Sequence, residues 1–112
     1  MLRHWIDNDR RTLQLGDRTI DLPAMVISSF EHHHVLLLAF VAAPEPEAPL
    51  LAAYAWDGSL RWARARRETP LAIGPDQTLY WARDPDRTMY VRVDARRRGL
   101  IDPRAGIFED ER

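Results

Sequence analysis

Short runs in which apolar and polar residues alternate dominate this chain, and turn-forming residues separate them. The clearest runs, residues 50–56 and 60–64, flank Asp57-Gly58, a dipeptide that favours the two-residue turn of a β-hairpin. Because successive side chains of a strand point to opposite faces, each set of alternating apolar residues is predicted to share one face. These sets are Leu50, Ala52, Tyr54 and Trp56 in the first strand, and Leu60 and Trp62 in the second. The three aromatic residues predict that the densest packing of the domain lies on this hairpin.

The N-terminal part of the chain predicts a second hairpin, formed by residues 12–15 and 19–22 around a turn at Asp17-Arg18. Pro23 ends it, because proline cannot donate to a strand ladder. Residues 24–30 are apolar and β-branched in the middle, which favours a strand over a helix.

The longest uninterrupted apolar segment predicts a strand at residues 35–41. Its apolar residues are consecutive, which indicates burial on both faces or a central place in a sheet, and a buried helix is the competing interpretation. Three prolines then predict an extended, charged loop at residues 44–49. The remaining runs predict strands at residues 71–73, 78–83, 88–93 and 100–101.

These elements predict an all-β fold, because sustained helical periodicity with a cap and a stop is absent from the sequence. We expect a single domain, residues 1–112, of seven to nine short and mostly antiparallel strands, with little or no helix. The arrangement is a meander, a sandwich or a partly open barrel. Residues 102–112 form a partly ordered tail that frays unless Ile107 and Phe108 dock.

The layout resembles an uncharacterised family of small bacterial all-β proteins. The resemblance rests on Ile20-Asp21-Leu22-Pro23, on the YxWDGxxxW hairpin from Tyr54 to Trp62, and on the segment from Val93 to Ile101. The hairpin is also similar to one repeat of a quinoprotein-like β-propeller, although this chain is too short to close a propeller of at least four blades. Ala95 and Arg97 replace the proline and threonine of the family's last motif. The resemblance implies a fold and supplies no functional residues.

Composition restricts the possible partners and compartments. The net charge of −1 gives no overall field that favours nucleic acid or an anionic membrane. The chain has no cysteine, and therefore neither a disulfide framework nor a thiolate zinc site. The longest apolar run, residues 35–43, is less than half of the roughly 20 residues that a membrane-spanning helix needs. Asp7 and Asp9 interrupt any signal peptide, so we expect a cytoplasmic protein without a membrane association.

Three consecutive histidines are the most conspicuous candidate site. On a strand, His32 and His34 would share one face and could bind a metal with Glu31 or a distant carboxylate. The alternative, which we favour, is a polar turn before a strand, with His34 partly covered. Metal sites usually take ligands from a second element, and His4 is the only other histidine. We therefore predict no metal and no cofactor.

Other catalytic arrangements find little support in the sequence. Asp57, Asp84 and Asp86 fall in predicted turns, where an aspartate bonds to its own backbone. Ser28, Ser29 and Ser59 lack the G-x-S-x-G context of a hydrolase nucleophile, and the five glycines form no phosphate-binding loop. The prediction is a protein without enzymatic activity and without catalytic residues.

Arginine and aromatic residues suggest two kinds of binding. Clusters occur at Arg64, Arg66 and Arg67 and at Arg96, Arg97 and Arg98, and Tyr80, Trp81 and Tyr90 lie between them. If both clusters converged on one aromatic face, a small β-barrel that binds single-stranded nucleic acid would be the interpretation. The alternative is a solvated edge protected by arginines, with interspersed acids that dilute the field.

The preferred interpretation is a protein–protein interaction module of immunity or accessory type. Arginine, tyrosine and tryptophan dominate the hot spots of protein interfaces, and Trp5, Trp81 and Tyr90 are candidates for faces away from the core. A homodimer through a sheet edge is compatible with this interpretation. Binding to nucleic acid is the alternative function.

Overall fold

The alternating runs form antiparallel strands, which confirms the predicted all-β class. The computed structural model describes residues 4–41, 43–71, 73–74, 77–86, 88–93 and 96–109. The strands of this part of the chain are β1 (His4–Ile6), β2 (Thr12–Leu15), β3 (Arg18–Asp21), β4 (Val26–His32), β5 (Val35–Phe40), β6 (Pro49–Ala55), β7 (Leu60–Ala65), β8 (Tyr80–Arg83), β9 (Met89–Arg92), β10 (Arg98–Asp102) and β11 (Ile107–Phe108). The helical content of the same residues is one 3-10 turn, Arg66–Glu68. No helix in the described part of the chain is long and apolar enough to cross a membrane.

The strands form three sheets, each of which follows the order of the chain. The N-terminal sheet has the order β1-β2-β3, the central sheet β4-β5-β6-β7, and the C-terminal sheet β8-β9-β10-β11, and all pairs are antiparallel. Among the described residues no sheet closes into a barrel. The strand number exceeds the predicted seven to nine, because β1 and β11 are too short for an alternating pattern to reveal them.

The central sheet is covered on both faces, so the molecule has three layers. All six residues of β5 are buried. Leu36, Leu38 and Phe40 pack with Leu13 and Leu15 of the N-terminal sheet. The two residues between them, Leu37 and Ala39, pack with Trp81, Met89 and Val91 of the C-terminal sheet. Two-sided burial of this strand was the prediction from its consecutive apolar residues, and the structure confirms it.

Two β-bulges overturn the predicted faces of the central hairpin. The β6–β7 register shifts near Leu50, which packs in the same core as Leu51 instead of sharing a face with Ala52 and Tyr54. It shifts again at Arg61, so that Tyr54 is opposite Leu60 whereas Ala53 is opposite Trp62. Trp62 is consequently buried, and Leu60 is 55% exposed. An inserted residue reverses the alternation locally, so the shared faces predicted for Leu50 and for Leu60 with Trp62 are wrong.

The turns between the strands largely follow the prediction. The turn at Asp57-Gly58 is present, and Gly58 has the positive φ of 93° that favours glycine there. The first hairpin turns at Gly16-Asp17, one residue earlier than predicted, because Gly16 takes the left-handed conformation. Leu71 and Ile73 lie outside the strands and pack against the core instead, and residue 72 of this predicted strand lies outside the described residues.

Residues 107 and 108 of the predicted tail belong to the C-terminal sheet. Ile107 and Phe108 form β11, which pairs with Ile101 and Asp102 of β10. Phe108 also packs against the core that contains Trp62. The predicted tail thus contributes a strand as far as residue 108, and residues 110–112 lie outside the described part of the chain.

Candidate functional site

The three histidines lie at the turn between β4 and β5. His32 is the last residue of β4, and His33-His34 form a turn in which His33 has a φ of 49°. His32 is buried and His34 is exposed, so the prediction that His34 is the partly covered residue is wrong. The alternation that would place both on one face ends at the turn. Among the residues that the structure describes, no group of three or more histidine, aspartate or glutamate side chains is placed to hold a metal ion.

The aspartates of the predicted turns stabilise those turns. Asp57 Oδ1 accepts hydrogen bonds from the backbone N–H and the hydroxyl of Ser59, at 2.9 and 2.7 Å. The bond from the Ser59 hydroxyl is the main reason why the pKa of Asp57 is lowered. Asp86 accepts a bond from the backbone N–H of Thr88, which likewise lowers the pKa of Asp86. Asp84 instead lies 3.5 Å from Arg98, on the surface of the C-terminal sheet.

The first arginine cluster is engaged with the protein itself. Arg64 donates from Nε to the carbonyl oxygen of Gly106 at 2.7 Å and from Nη2 to that of Ala105 at 2.9 Å. Arg66 donates to the carbonyl oxygens of two other loop residues, Ala43 and Ile73. Arg67 forms an ion pair with Glu47, with 2.6 Å between Nε and Oε1. These guanidinium groups bind loop residues at the edge of the central sheet through hydrogen bonds and an ion pair.

The two arginine clusters meet at one groove but not on one aromatic face. A groove of about 660 Å³ is lined by Arg64, Arg67 and Arg98, and also by Glu68 and Glu109. The two carboxylates offset much of its positive charge. The convergence on a tyrosine and tryptophan face that the nucleic-acid interpretation requires is therefore absent from the described structure.

Trp81 belongs to the core rather than to an outer face. It is 5% exposed, and its ring centre lies 6.1 Å from that of Trp62. The expectation that Trp81 lies away from the core is wrong. Trp5, by contrast, is 52% exposed on β1, and Tyr90 lies on the outer side of the C-terminal sheet, as expected.

The outer side of the C-terminal sheet carries a row of tyrosine and arginine residues. Trp81 and Val91 point into the core, so the residues that alternate with them point away from the central sheet. In the register, Tyr80 is opposite Arg92 and Arg92 is opposite Arg98, one residue on each of three adjacent strands. Tyr90, in the next row, lies under the guanidinium group of Arg98. We call Tyr80, Tyr90, Arg92 and Arg98 the tyrosine–arginine face.

The side chains of this face differ in what holds them. The guanidinium carbon of Arg98 lies 5.0 Å from the centre of the Tyr90 ring, a cation–π distance, and its Nη1 approaches Asp84. Tyr80 is 42% exposed. The side chain of Arg92 is exposed, and its guanidinium group makes no hydrogen bond, ion pair or ring contact with the other described residues.

Sequence reasoning identified only part of this face. Alternation predicts that Tyr90 and Arg92 lie opposite to the apolar residues Met89, Val91 and Val93, and the structure confirms it. The alignment of Arg92 with Arg98 depends on the turn between β9 and β10. The number of residues between the two strands is the sequence feature from which this alignment could have been predicted.

Comparisons of the chain with protein-family models, with curated proteins and with solved structures found no match. The family resemblance of the YxWDGxxxW hairpin thus stays a prediction.

Proposed function

We propose that this protein is a non-enzymatic protein–protein interaction module, of immunity or accessory type, that acts in the cytoplasm and binds its partner through the tyrosine–arginine face. The observation that carries the proposal is the row of Tyr80, Arg92 and Arg98 across three hydrogen-bonded strands. Tyrosine and arginine are among the residues that contribute most to protein interfaces.

The rigidity of the face supports the same conclusion. Binding costs free energy when flexible side chains become ordered, and a tyrosine has only two side-chain torsions to fix. Tyr80 and Tyr90 are mounted on strands, and Arg98 is already stacked on a ring. A partner would therefore meet a surface in which the contact between Tyr90 and Arg98 is already formed.

The proposal is tested by affinity capture from host lysate at physiological salt, with the wild-type protein and two double variants. Tyr80→Ser/Arg92→Ser changes the face, and the control Trp5→Ser/Arg11→Ser changes another exposed aromatic residue and another exposed arginine, on or near the N-terminal sheet. We expect one protein to be retained by the wild type and the control and lost by the face variant. Equal retention by both variants, or no retained protein, would contradict the proposal.

We also propose that a homodimer through a sheet edge is compatible with this function. Strand β1 is an outer strand of the N-terminal sheet and carries the exposed Trp5. This edge belongs to the N-terminal sheet, whereas the tyrosine–arginine face belongs to the C-terminal sheet. One molecule could therefore bind a second copy of itself and a partner at the same time. Light scattering of the wild type and of the Trp5→Ser/Arg11→Ser variant distinguishes a dimer from a monomer.

A further inference from the structure

We infer that the segment of the partner that docks on the tyrosine–arginine face is acidic, and that one of its carboxylates binds between Arg92 and Arg98. This inference rests on the proposed function and adds the chemistry of the partner. The companion contact is an apolar or aromatic side chain of the same segment against Tyr80.

Two like charges lie next to each other on this face. Arg92 and Arg98 are directly opposite in the β9–β10 register. Side chains in such a pair have Cβ atoms about 5 Å apart, and like charges there destabilise the sheet. Arg98 is partly compensated by Asp84 at 3.5 Å, whereas Arg92 has no partner among the described residues. An external carboxylate between the two guanidinium groups would relieve this repulsion.

The C-terminal sheet differs in net charge from the molecule as a whole. Residues 80–108, from the start of β8 to the end of β11, contain seven arginines and four acids. The part of the chain that forms the C-terminal sheet is therefore net positive, although the whole chain has a net charge of −1. A basic face on a nearly neutral molecule selects an acidic partner by local complementarity rather than by a general attraction.

The geometry of the row fits a carboxylate beside an apolar side chain. The planar guanidinium of Arg98 is held over the Tyr90 ring, and planar arginine groups bind carboxylates through paired hydrogen bonds. Tyr80 lies on the other side of Arg92, one strand spacing or about 5 Å away. Extended chain advances about 3.3 Å per residue. The acid and the apolar residue of the docking segment are thus expected about two or three residues apart.

A protein carboxylate fits this face better than a nucleic acid. Binding of a nucleic acid requires several arginines that follow a phosphate backbone. Here Asp84 stands next to Arg98, and the adjoining groove contains Glu68 and Glu109. These acids would repel a continuous chain of phosphates, but they leave room for a single carboxylate.

The test uses fluorescence anisotropy with labelled probes. The first probe is a dodecapeptide that repeats Glu-Leu-Gly; the comparison probes replace its glutamates with glutamine or with lysine, and the last is an oligothymidine of twelve nucleotides. We expect the acidic peptide to bind the wild-type protein at least about tenfold more tightly than the glutamine peptide, because hydrogen bonds to charged groups are each worth about a factor of ten or more.

Matched variants locate the binding. Arg92→Gln/Arg98→Gln is expected to weaken binding of the acidic peptide about tenfold or more, and Arg11→Gln/Arg61→Gln, which removes two exposed charges elsewhere, should leave it unchanged. The single variant Arg92→Gln breaks no contact among the described residues, so it tests the face without loss of structure. Thermal unfolding of each variant confirms that it is folded.

Each other outcome would overturn the inference in its own way. No binding of the acidic peptide, equal binding of the glutamine peptide, or equal binding by the Arg92→Gln/Arg98→Gln variant would contradict an acidic docking segment. The proposed function would still stand if lysate capture continued to depend on Tyr80 and Arg92. Tighter binding of the oligothymidine, with the same dependence on both arginines, would contradict the inference and the proposed function together.

Discussion

The arginines of this protein differ in what their guanidinium groups contact. Arg64 and Arg66 donate to carbonyl oxygens of distant loops, and Arg83 lies 5.1 Å from the centre of the Phe30 ring on the central sheet. These side chains join parts of the fold. Arg92 does none of this, and it faces another arginine across the sheet. Because like charges directly opposite on neighbouring strands destabilise a sheet, we expect this position to lower the stability of the fold.

We predict that Arg92→Gln raises the free energy of unfolding. The change removes one of two like charges and keeps a side chain of similar shape, so the gain should be about 0.2–1 kcal/mol. The measurement is urea denaturation at low salt. At high salt the difference should shrink, because exposed charges are screened within a few ångströms. Arg11→Gln is the control, and a loss of stability in Arg92→Gln would show that Arg92 supports the fold.

The buried indole of Trp62 is predicted to be a major contributor to stability. It is 7% exposed and donates from Nε1 to the carbonyl oxygen of Pro103 at 2.8 Å. Trp62→Ala should therefore lower the free energy of unfolding by about 3–5 kcal/mol. Leu60→Ala, two residues earlier and on the exposed side, should change it by less than about 0.5 kcal/mol. A loss of under about 1 kcal/mol for Trp62→Ala would place this side chain at the surface.

Gly106 is predicted to be irreplaceable for two separate reasons. Its φ is 68°, in the left-handed region, and a Cβ atom there would overlap the Trp62 ring. Gly106→Ala should cost about 2–5 kcal/mol in total, from backbone strain and from overpacking. Gly16→Ala is the matched control, since Gly16 has a φ of 59° but open space around it. It should cost only about 1–2 kcal/mol.

A double variant separates the two contributions at Gly106. In the Trp62→Ala background the overpacking disappears, so Gly106→Ala should then cost about as much as Gly16→Ala. Denaturation of the four proteins of this cycle gives the coupling directly. Additive costs would show that the Trp62 ring does not restrict this position.

At the scale of single elements, the hairpin turns make the protein sensitive to acid. The pKa of Asp57 is lowered mainly by the hydrogen bond from Ser59, and that of Asp86 by the bond from the Thr88 backbone. A carboxyl group whose pKa is lower in the folded than in the unfolded protein stabilises the fold. This contribution is complete when the pH is above the pKa of the unfolded protein, near 3.8, and it disappears as the pH falls through the pKa of the folded protein. We therefore predict that stability falls as the pH is lowered below about 4.

The measurement is the urea midpoint of unfolding as a function of pH. Asp57→Asn/Asp86→Asn retains a side-chain oxygen as acceptor in each turn but removes both titrations. Its midpoint should decline less steeply in acid than that of the wild type. Identical slopes for the variant and the wild type would assign the acid sensitivity to other groups.

The element scale is also where the sequence is most informative. Alternation and Asp57-Gly58 predicted the central hairpin, and consecutive apolar residues predicted that β5 is buried on both faces. The bulges near Leu50 and Arg61 could not be predicted, because an inserted residue leaves the composition of a strand unchanged while it reverses the faces. For the same reason, alternation predicted that Leu60 and Trp62 share one face.

At the scale of the whole molecule, the sequence predicts which residues lie on a surface but not which of them come together there. Tyr90 and Arg92 were assigned to the outer face, yet their combination with Arg98 depends on the register between two strands. The first arginine cluster was considered as a binding surface because the carbonyl oxygens that bind Arg64 and Arg66 lie far away in the sequence and could not be identified from it. Arg64, for example, binds carbonyl oxygens about forty residues later. Contacts of that range are a property of the fold.

The three layers have a consequence for how the protein unfolds. Leu36, Leu38 and Phe40 of β5 are covered by the N-terminal sheet, and Leu37 and Ala39 by the C-terminal sheet. Removal of either outer sheet would expose large apolar side chains of the central sheet to water. The free-energy cost is about 25 cal/mol for each Å² of apolar surface exposed. Neither outer sheet can therefore detach at little cost. The molecule is expected to unfold in one cooperative transition.

We predict that a cavity in either outer layer lowers the stability of both. Leu13→Ala in the N-terminal sheet should cost about 2–5 kcal/mol, and Val91→Ala in the C-terminal sheet somewhat less. Hydrogen exchange in increasing urea measures the opening of each strand separately. In the Leu13→Ala variant the amides of β9 should lose protection at the same urea concentration as those of β2. Protection of β9 that persists after β2 has opened would show that the layers unfold independently, because the shared strand β5 would then not couple the two cores.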